Sequence, residues 1–144
     1  MPAAISIPNL GLDLRRTPDL TDPATRERLS PAALEAFFKI TELWDLNNAD
    51  AMTLLGGVSS GRYYELKRSR KGTLTQDELT RISLLIGIFK ALNILFSRKL
   101  ANQWVTRTNS NPFFANLPPL ERMRSGMMGM VGVRRLLDSR RGGR

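Results

Sequence analysis

The stretch Ala51-Met52-Thr53-Leu54-Leu55-Gly56-Gly57-Val58-Ser59-Ser60-Gly61-Arg62-Tyr63-Tyr64-Glu65-Leu66-Lys67 decides how the chain is read. It holds two short helical segments joined by glycines, the outline of a helix-turn-helix. Small Ala51 lets the first segment approach the second, and Gly56 or Gly57 supplies the tight turn. Val58, Tyr63 and Leu66 point inward and hold the second segment, which leaves Ser60, Arg62, Tyr64, Lys67 and Arg68 facing outward.

Those outward residues suit DNA. The first residues of a recognition helix reach base edges in the major groove, and later basic side chains grip phosphates. Ser60 and Arg62 fit the bases, Arg62 with a fork able to pair bidentately with guanine. Tyr64 shares their face. Lys67, Arg68, Arg70 and Lys71 come later, are longer, and fit phosphates. Glu65 interrupts the basic run and either accepts from cytosine or pairs with a neighbouring lysine. One such module has a small footprint, so useful affinity implies a dimer on two half-sites.

Outward from this motif the chain reads as all-α. Residues 1–29 mix prolines and charges with few periodic apolar positions and are expected to be an N-terminal arm. Ser30-Pro31 reads as an N-cap with proline in the first turn, opening a helix to about Leu46 through Leu34, Phe37, Phe38, Thr41 and Trp44. Asn48 begins the short helix that Gly56-Gly57 stops. Residues 30–74 therefore form the expected DNA-binding domain.

Thr75, with Glu78 three residues on, is a capping box for a long helix reaching about Phe96. Its apolar residues cover almost every side, so it must be buried on every side. A second copy of the chain or a place at the centre of the monomer's own core supplies that burial. The dimer needed for DNA favours the first, with Leu85, Ile88, Phe89, Leu92 and Phe96 as the dimer surface and 75–100 as the dimerisation segment. Residues 101–144 then form a small helical C-terminal domain. Pro118-Pro119 opens a short helix that stops near Gly126, and Met130, Val133 and Leu137 space a last helix before Arg140-Arg141-Gly142-Gly143-Arg144. Met123, Met127, Met128 and Met130 suit either a core or an adaptable partner surface. No stretch alternates with period two, so no strand is expected, and no repeat is present.

Composition narrows the function. The 144 residues carry 22 Lys+Arg against 13 Asp+Glu, a net charge of +9. The charge is uneven: residues 1–58 hold five basic and eight acidic residues, while 59–144 hold seventeen and five. Such asymmetry points to a polyanionic partner for the middle and C-terminal part. The chain has no Cys and no His, which removes disulfides, thiolate nucleophiles, the usual zinc sites and the commonest general acid–base group. A binding protein without a cofactor is expected rather than an enzyme. No secretory or membrane segment is apparent, so the expected location is cytoplasmic.

The run Leu54-Leu55-Gly56-Gly57-Val58-Ser59 followed by Tyr63-Tyr64-Glu65-Leu66-Lys67 resembles the Xre-like antitoxins with an MbcA/ParS toxin-binding domain. Leu85-Ile86-Gly87-Ile88-Phe89-Lys90-Ala91-Leu92 is similar as well, as are Trp104, Asn111-Pro112-Phe113, Pro119-Leu120, Gly126 and Val133 to Asp138. Together they span about residues 30–144. Glu65 and Leu66 stand where the family usually has a basic residue and tryptophan, and Asn116 where glycine is common. The resemblance implies a RES-type protein toxin as partner, an enzyme that degrades NAD, whose active-site entrance the C-terminal domain covers. It also implies repression of the protein's own operon, dimerisation, and assembly with toxin into larger complexes. In that scheme Arg134, Arg135, Arg140, Arg141 and Arg144 are expected to approach a pocket shaped for a pyrophosphate. Gly142-Gly143 lets the tail thread a narrow mouth, and Phe113 is an expected toxin contact.

Overall fold

The structure, a computed structural model, describes residues 18–142. Its elements are helices α1 (Pro23–Leu43), α2 (Asn48–Leu54), α3 (Ser60–Ser69), α4 (Gln76–Leu95), α5 (Arg98–Gln103), α6 (Pro119–Arg124) and α7 (Met127–Gly142). Single 3-10 turns lie at Trp104–Thr106 and Pro112–Phe114, and no strand occurs among the described residues. The all-α expectation holds.

Helix α1 is capped at Asp22, eight residues before the expected cap at Ser30. The Asp22 side chain accepts from the Ala24 N–H, and Pro23 takes the first helical position, where its missing N–H costs nothing. Ser30-Pro31, which has the same cap-and-proline pattern, lies inside the helix. Pro31 is exposed, so its missing hydrogen bond falls on the solvent side. The buried Ser30 hydroxyl donates to the Arg26 carbonyl (2.6 Å) and accepts from the Leu74 N–H (2.8 Å). It thereby satisfies a loop amide that burial would otherwise strand. The expected N-terminal arm is thus helical from Pro23, and its residues 1–17 lie outside the described residues.

Helix α4 lies at the centre, packed against α1 on one side and α7 on the other. Leu85, Ile88, Phe89 and Leu92 are each 0–2% exposed within the single chain. They are therefore core rather than dimer surface, and Phe96 is partly buried against the same core. The physical reason is cover: α1 brings Leu34, Phe37 and Ile40, and α7 brings Met130, Val133 and Leu137, all fully buried. Apolar residues on every side of α4 need burial, and the monomer supplies it. One continuous cluster runs from Leu29 to Leu137, so the two halves of the chain share a core through α4.

Close packing around α4, α6 and α7 depends on the absence of a side chain at three glycines. A Cβ on Gly87 of α4 would lie 1.8 Å from the Arg134 guanidinium, one on Gly129 1.8 Å from the Arg122 carbonyl oxygen, and one on Gly132 2.7 Å from the Phe113 ring. Met123 and Met130 belong to the core, whereas Met128 is 80% exposed. Helix α5, capped by Ser97, has no counterpart in the sequence reading. No helix among the described residues is long and apolar enough to cross a membrane.

Candidate functional site

The motif around Gly56-Gly57 folds as two helices at a tight turn. Asn47 caps α2 by accepting from the Asp50 N–H (2.7 Å). Leu54 and Leu55 are buried, and the chain then turns through Gly56 (φ +108°) and Gly57 (φ +74°). A residue with a Cβ is strained at such angles, and at Gly56 it would also meet Asp77 Oδ2 at 2.9 Å. Ser59 caps α3 by accepting from the Arg62 N–H (3.2 Å).

Three fasteners hold α3. On its inner face Tyr63 packs beside Phe38 of α1, ring centroids 5.7 Å apart, and its hydroxyl donates to Asn48 Oδ1 (2.9 Å). At its C-terminal end Arg70 adopts the left-handed conformation (φ +55°). Its guanidinium lies 4.6 Å from the Phe38 ring centroid, donates to the Lys67 carbonyl (2.9 Å), and sits 3.4 Å from Glu35. At the N-terminal end Arg62 makes a bidentate pair with Glu78, Nε to Oε2 at 3.0 Å and Nη2 to Oε1 at 2.6 Å. Glu78 is buried, and its Oε1 also accepts from the Thr75 N–H (2.9 Å) in the capping box of α4.

Burial pushes the Glu78 pKa up, but the Arg62 hydrogen bonds and the Thr75 amide outweigh it and hold the carboxyl below its ordinary value. The same hydrogen bonds raise the Arg62 pKa against its own partial burial. Burial, followed by the neighbouring Tyr64, raises the pKa of Tyr63. A carboxylate with a depressed folded-state pKa adds stability above its unfolded pKa, about 4.3 for glutamate, and that contribution is lost as pH falls through the folded value. Urea unfolding of the wild type and Glu78→Gln should therefore show a wide stability gap at about pH 7 that closes below about pH 4. A gap independent of pH would show that the charge of Glu78 contributes nothing.

The structure divides the seven residues expected to meet DNA. Ser60, Tyr64, Lys67, Arg68 and Lys71 are exposed, the first four spaced along one side of α3 and Lys71 just beyond its end. Tyr64 is 49% exposed although its ring meets Tyr63 edge-on at 5.1 Å. Lys67 reaches Asn48 Oδ1 (2.9 Å), and Arg68 pairs with Glu65 (2.7 Å) in the open. An exposed pair of that kind is weak and exchanges readily for another anion. Arg62 and Arg70 are instead turned toward α4 and α1, away from that set.

The residues expected to meet a toxin lie around α7. The Arg134 guanidinium occupies the space left by Gly87, and its Nε donates to Asp138 Oδ2 (2.9 Å). Arg135, Arg140 and Arg141 are exposed, with Arg141 3.7 Å from Asp138. The helix continues through Gly142, so Arg140 and Arg141 project from regular helix; Gly143 and Arg144 lie outside the described residues. Phe113 packs over Gly132 beneath the Arg122 guanidinium (4.7 Å), and Arg122 also donates to the Phe113 carbonyl (2.8 Å). Arg124 of α6 bridges Glu121 (2.9 Å) and Asp50 of α2 (3.1 Å), tying the C-terminal helices to the helix-turn-helix. Sequence reading missed this bridge, the Arg62–Glu78 pair and the seat of Arg134, each of which joins residues far apart in the chain. No group of three or more acidic side chains that could hold a metal is present among the described residues.

Comparison with known proteins finds two family domains along the chain. Residues 22–87 match the antitoxin Xre-like helix-turn-helix domain, and residues 91–143 match the antitoxin Xre/MbcA/ParS C-terminal toxin-binding domain. The seam between them falls inside α4, the helix whose two sides carry α1 and α7. An uncharacterized protein, y4oB, of Sinorhizobium fredii is 36% identical over 125 residues, which cover 85% of this chain and 95% of the relative. No solved structure matches the chain significantly. The chain belongs to the family of antitoxins that join an Xre-like helix-turn-helix domain to an Xre/MbcA/ParS C-terminal toxin-binding domain.

Proposed function

We propose that the protein neutralises a RES-type, NAD-degrading toxin by covering its active-site entrance, and represses its own operon through α3. The observation that carries this reading is the pairing of a helix-turn-helix domain and a toxin-binding domain on one chain. The exposed guanidinium groups of Arg135, Arg140 and Arg141, together with Phe113 of the same domain, are the proposed toxin contacts. Guanidinium groups suit a pocket built for pyrophosphate because they match its oxygens two at a time. Arg134 supports the surface from beneath, since its head is held between Gly87 and Asp138.

On DNA, the proposed contacts are Ser60 and Tyr64 to base edges and Lys67, Arg68 and Lys71 to phosphates. The protein binds operator as a dimer and assembles with toxin into a larger complex. Its dimer contacts lie outside Leu85, Ile88, Phe89 and Leu92, which the monomer core occupies. The chain acts by binding alone and works in the cytoplasm beside its toxin.

Two measurements test the reading. A tagged chain expressed in its native host should bring down a stoichiometric partner encoded by the adjacent gene; recovery of the chain alone, or with DNA only, would leave a DNA-binding regulator and remove the toxin. Replacing Lys67, Arg68 and Lys71 together by Ala should weaken operator binding and make the slope of log affinity against log salt shallower by about 3 per protomer. An unchanged slope would place the phosphate contacts elsewhere.

A further inference from the structure

We propose that Arg62 is a positioning residue: it fixes the angle at which α3 meets DNA by binding Glu78, and it does not read a base itself. The inference rests on the DNA-binding reading above and corrects the role its place in the helix suggests. An arginine in the first turn of a recognition helix is where a guanine reader is looked for. Here the Nε and Nη2 donors of Arg62 form a fork on both oxygens of Glu78, at 3.0 and 2.6 Å. That is the same side-by-side geometry a guanine edge would require.

Withdrawing Arg62 toward DNA would strand a carboxylate that is 4% exposed. Glu78 also accepts the Thr75 N–H in the capping box, so the loss would reach the start of α4. An uncompensated buried charge is strongly unfavourable, whereas an arginine–guanine contact replaces water on an already solvated group. The pair therefore persists when DNA binds. It joins the end of α3 that enters the groove to the helix at the centre of the core. Tyr63–Asn48 ties the inner face to α2 and Arg70–Phe38 holds the far end, whereas Arg62–Glu78 ties the first turn to α4. Base readout is left to Ser60 and Tyr64.

The test uses the full chain and the duplex it selects from a random pool. Arg62→Ala, Glu78→Gln and the double variant are compared with the wild type, and Arg62→Lys is added because lysine keeps one contact to Glu78. Each single change should lower affinity by about tenfold or more, the size of a lost charge-assisted hydrogen bond. The double variant should be no weaker than Arg62→Ala, because both changes break one fastener. Arg62→Lys should recover part of the loss. The ratio of wild-type to Arg62→Ala affinity should stay the same when the guanines are replaced by 7-deazaguanine, which lacks the N7 acceptor. The proposal is overturned if Glu78→Gln binds like the wild type while the Arg62→Ala loss disappears on the 7-deazaguanine duplex, because Arg62 then reads guanine. Should Glu78→Gln fail to fold, Arg62→Ala and Arg62→Lys on the two duplexes decide the matter. A wild-type chain that selects no duplex overturns the DNA reading, and this inference with it.

Discussion

Gly129→Ala lowers the unfolding free energy by about 3 kcal/mol. The added Cβ would lie 1.8 Å from the Arg122 carbonyl oxygen, 2.8 Å from the Arg122 carbonyl carbon and 2.8 Å from Ser125 Oγ. Two of those atoms are backbone, at the last turn of α6, so no side chain can swing aside. The whole of α6 must move off α7, and it carries buried Leu120 and Met123 with it. The Arg124 bridge to Asp50 stretches at the same time. For a chain of this size the loss corresponds to roughly 10 °C in melting temperature, and toxin binding should weaken along with it. Gly87→Ala provides the contrast. The three atoms nearest its Cβ all belong to the guanidinium of Arg134, the mobile end of a long side chain, so Arg134 is displaced at little cost to stability. Thermal melts of the two variants side by side read the difference; equal melting temperatures would contradict the close α6–α7 contact.

Leu85→Ala costs about 3 kcal/mol, within the range for emptying a fully buried leucine site, and leaves the oligomeric state of the protein unchanged. Leu85 is 0% exposed in the single chain, enclosed where α4 meets its neighbours. Removing its side chain opens a cavity that rigid helices on both sides fill only in part. The unfolding midpoint in urea should fall by the same amount at every protein concentration. Were Leu85 a dimer contact, the loss would shrink as concentration rises, and sedimentation would show dissociation. Concentration dependence confined to the variant would therefore return α4 to the interface.

These two residues also show how far the sequence could be read. Most of the helices, α5 excepted, were legible because their signals are local. Thr75 with Glu78 announces the start of α4, and Gly56-Gly57 announces the end of α2. Inward Tyr63 and Leu66 follow from spacing alone, and the structure buries both. Local signals also mislead when two alike compete. Asp22-Pro23 and Ser30-Pro31 both have cap character, and only the first caps a helix, because the Ser30 hydroxyl is engaged with Arg26 and Leu74 instead.

Pairings over distance were not legible. The apolar faces of α4 call for cover, yet periodicity does not say whether α1 and α7 or a second chain provides it. Arg62 has the residue type and position of a base reader, and nothing near it in sequence reveals the partner sixteen residues on. Gly87 and Arg134 look unrelated until the helices are packed and the guanidinium fills the gap. Charge placement was legible in its coarse form. Of the basic residues after position 58, Arg62, Lys67, Arg68, Arg70 and Lys71 lie on or just after α3 and Arg134, Arg135, Arg140 and Arg141 on α7, but Arg62, Arg70 and Arg134 are turned to intramolecular partners rather than outward.

The proposed role of this chain is to protect cells from an NAD-degrading partner. The most direct measurement is cellular NAD after inducing the adjacent gene alone, with this chain, and with an Arg135→Ala, Arg140→Ala, Arg141→Ala variant of it. With the neighbour alone, NAD should collapse and growth should stop. The wild-type chain should preserve NAD, and the triple variant should fold and bind operator DNA yet protect poorly. NAD that stays level when the neighbour is expressed alone would contradict the account, leaving a member of the antitoxin family whose partner does different chemistry.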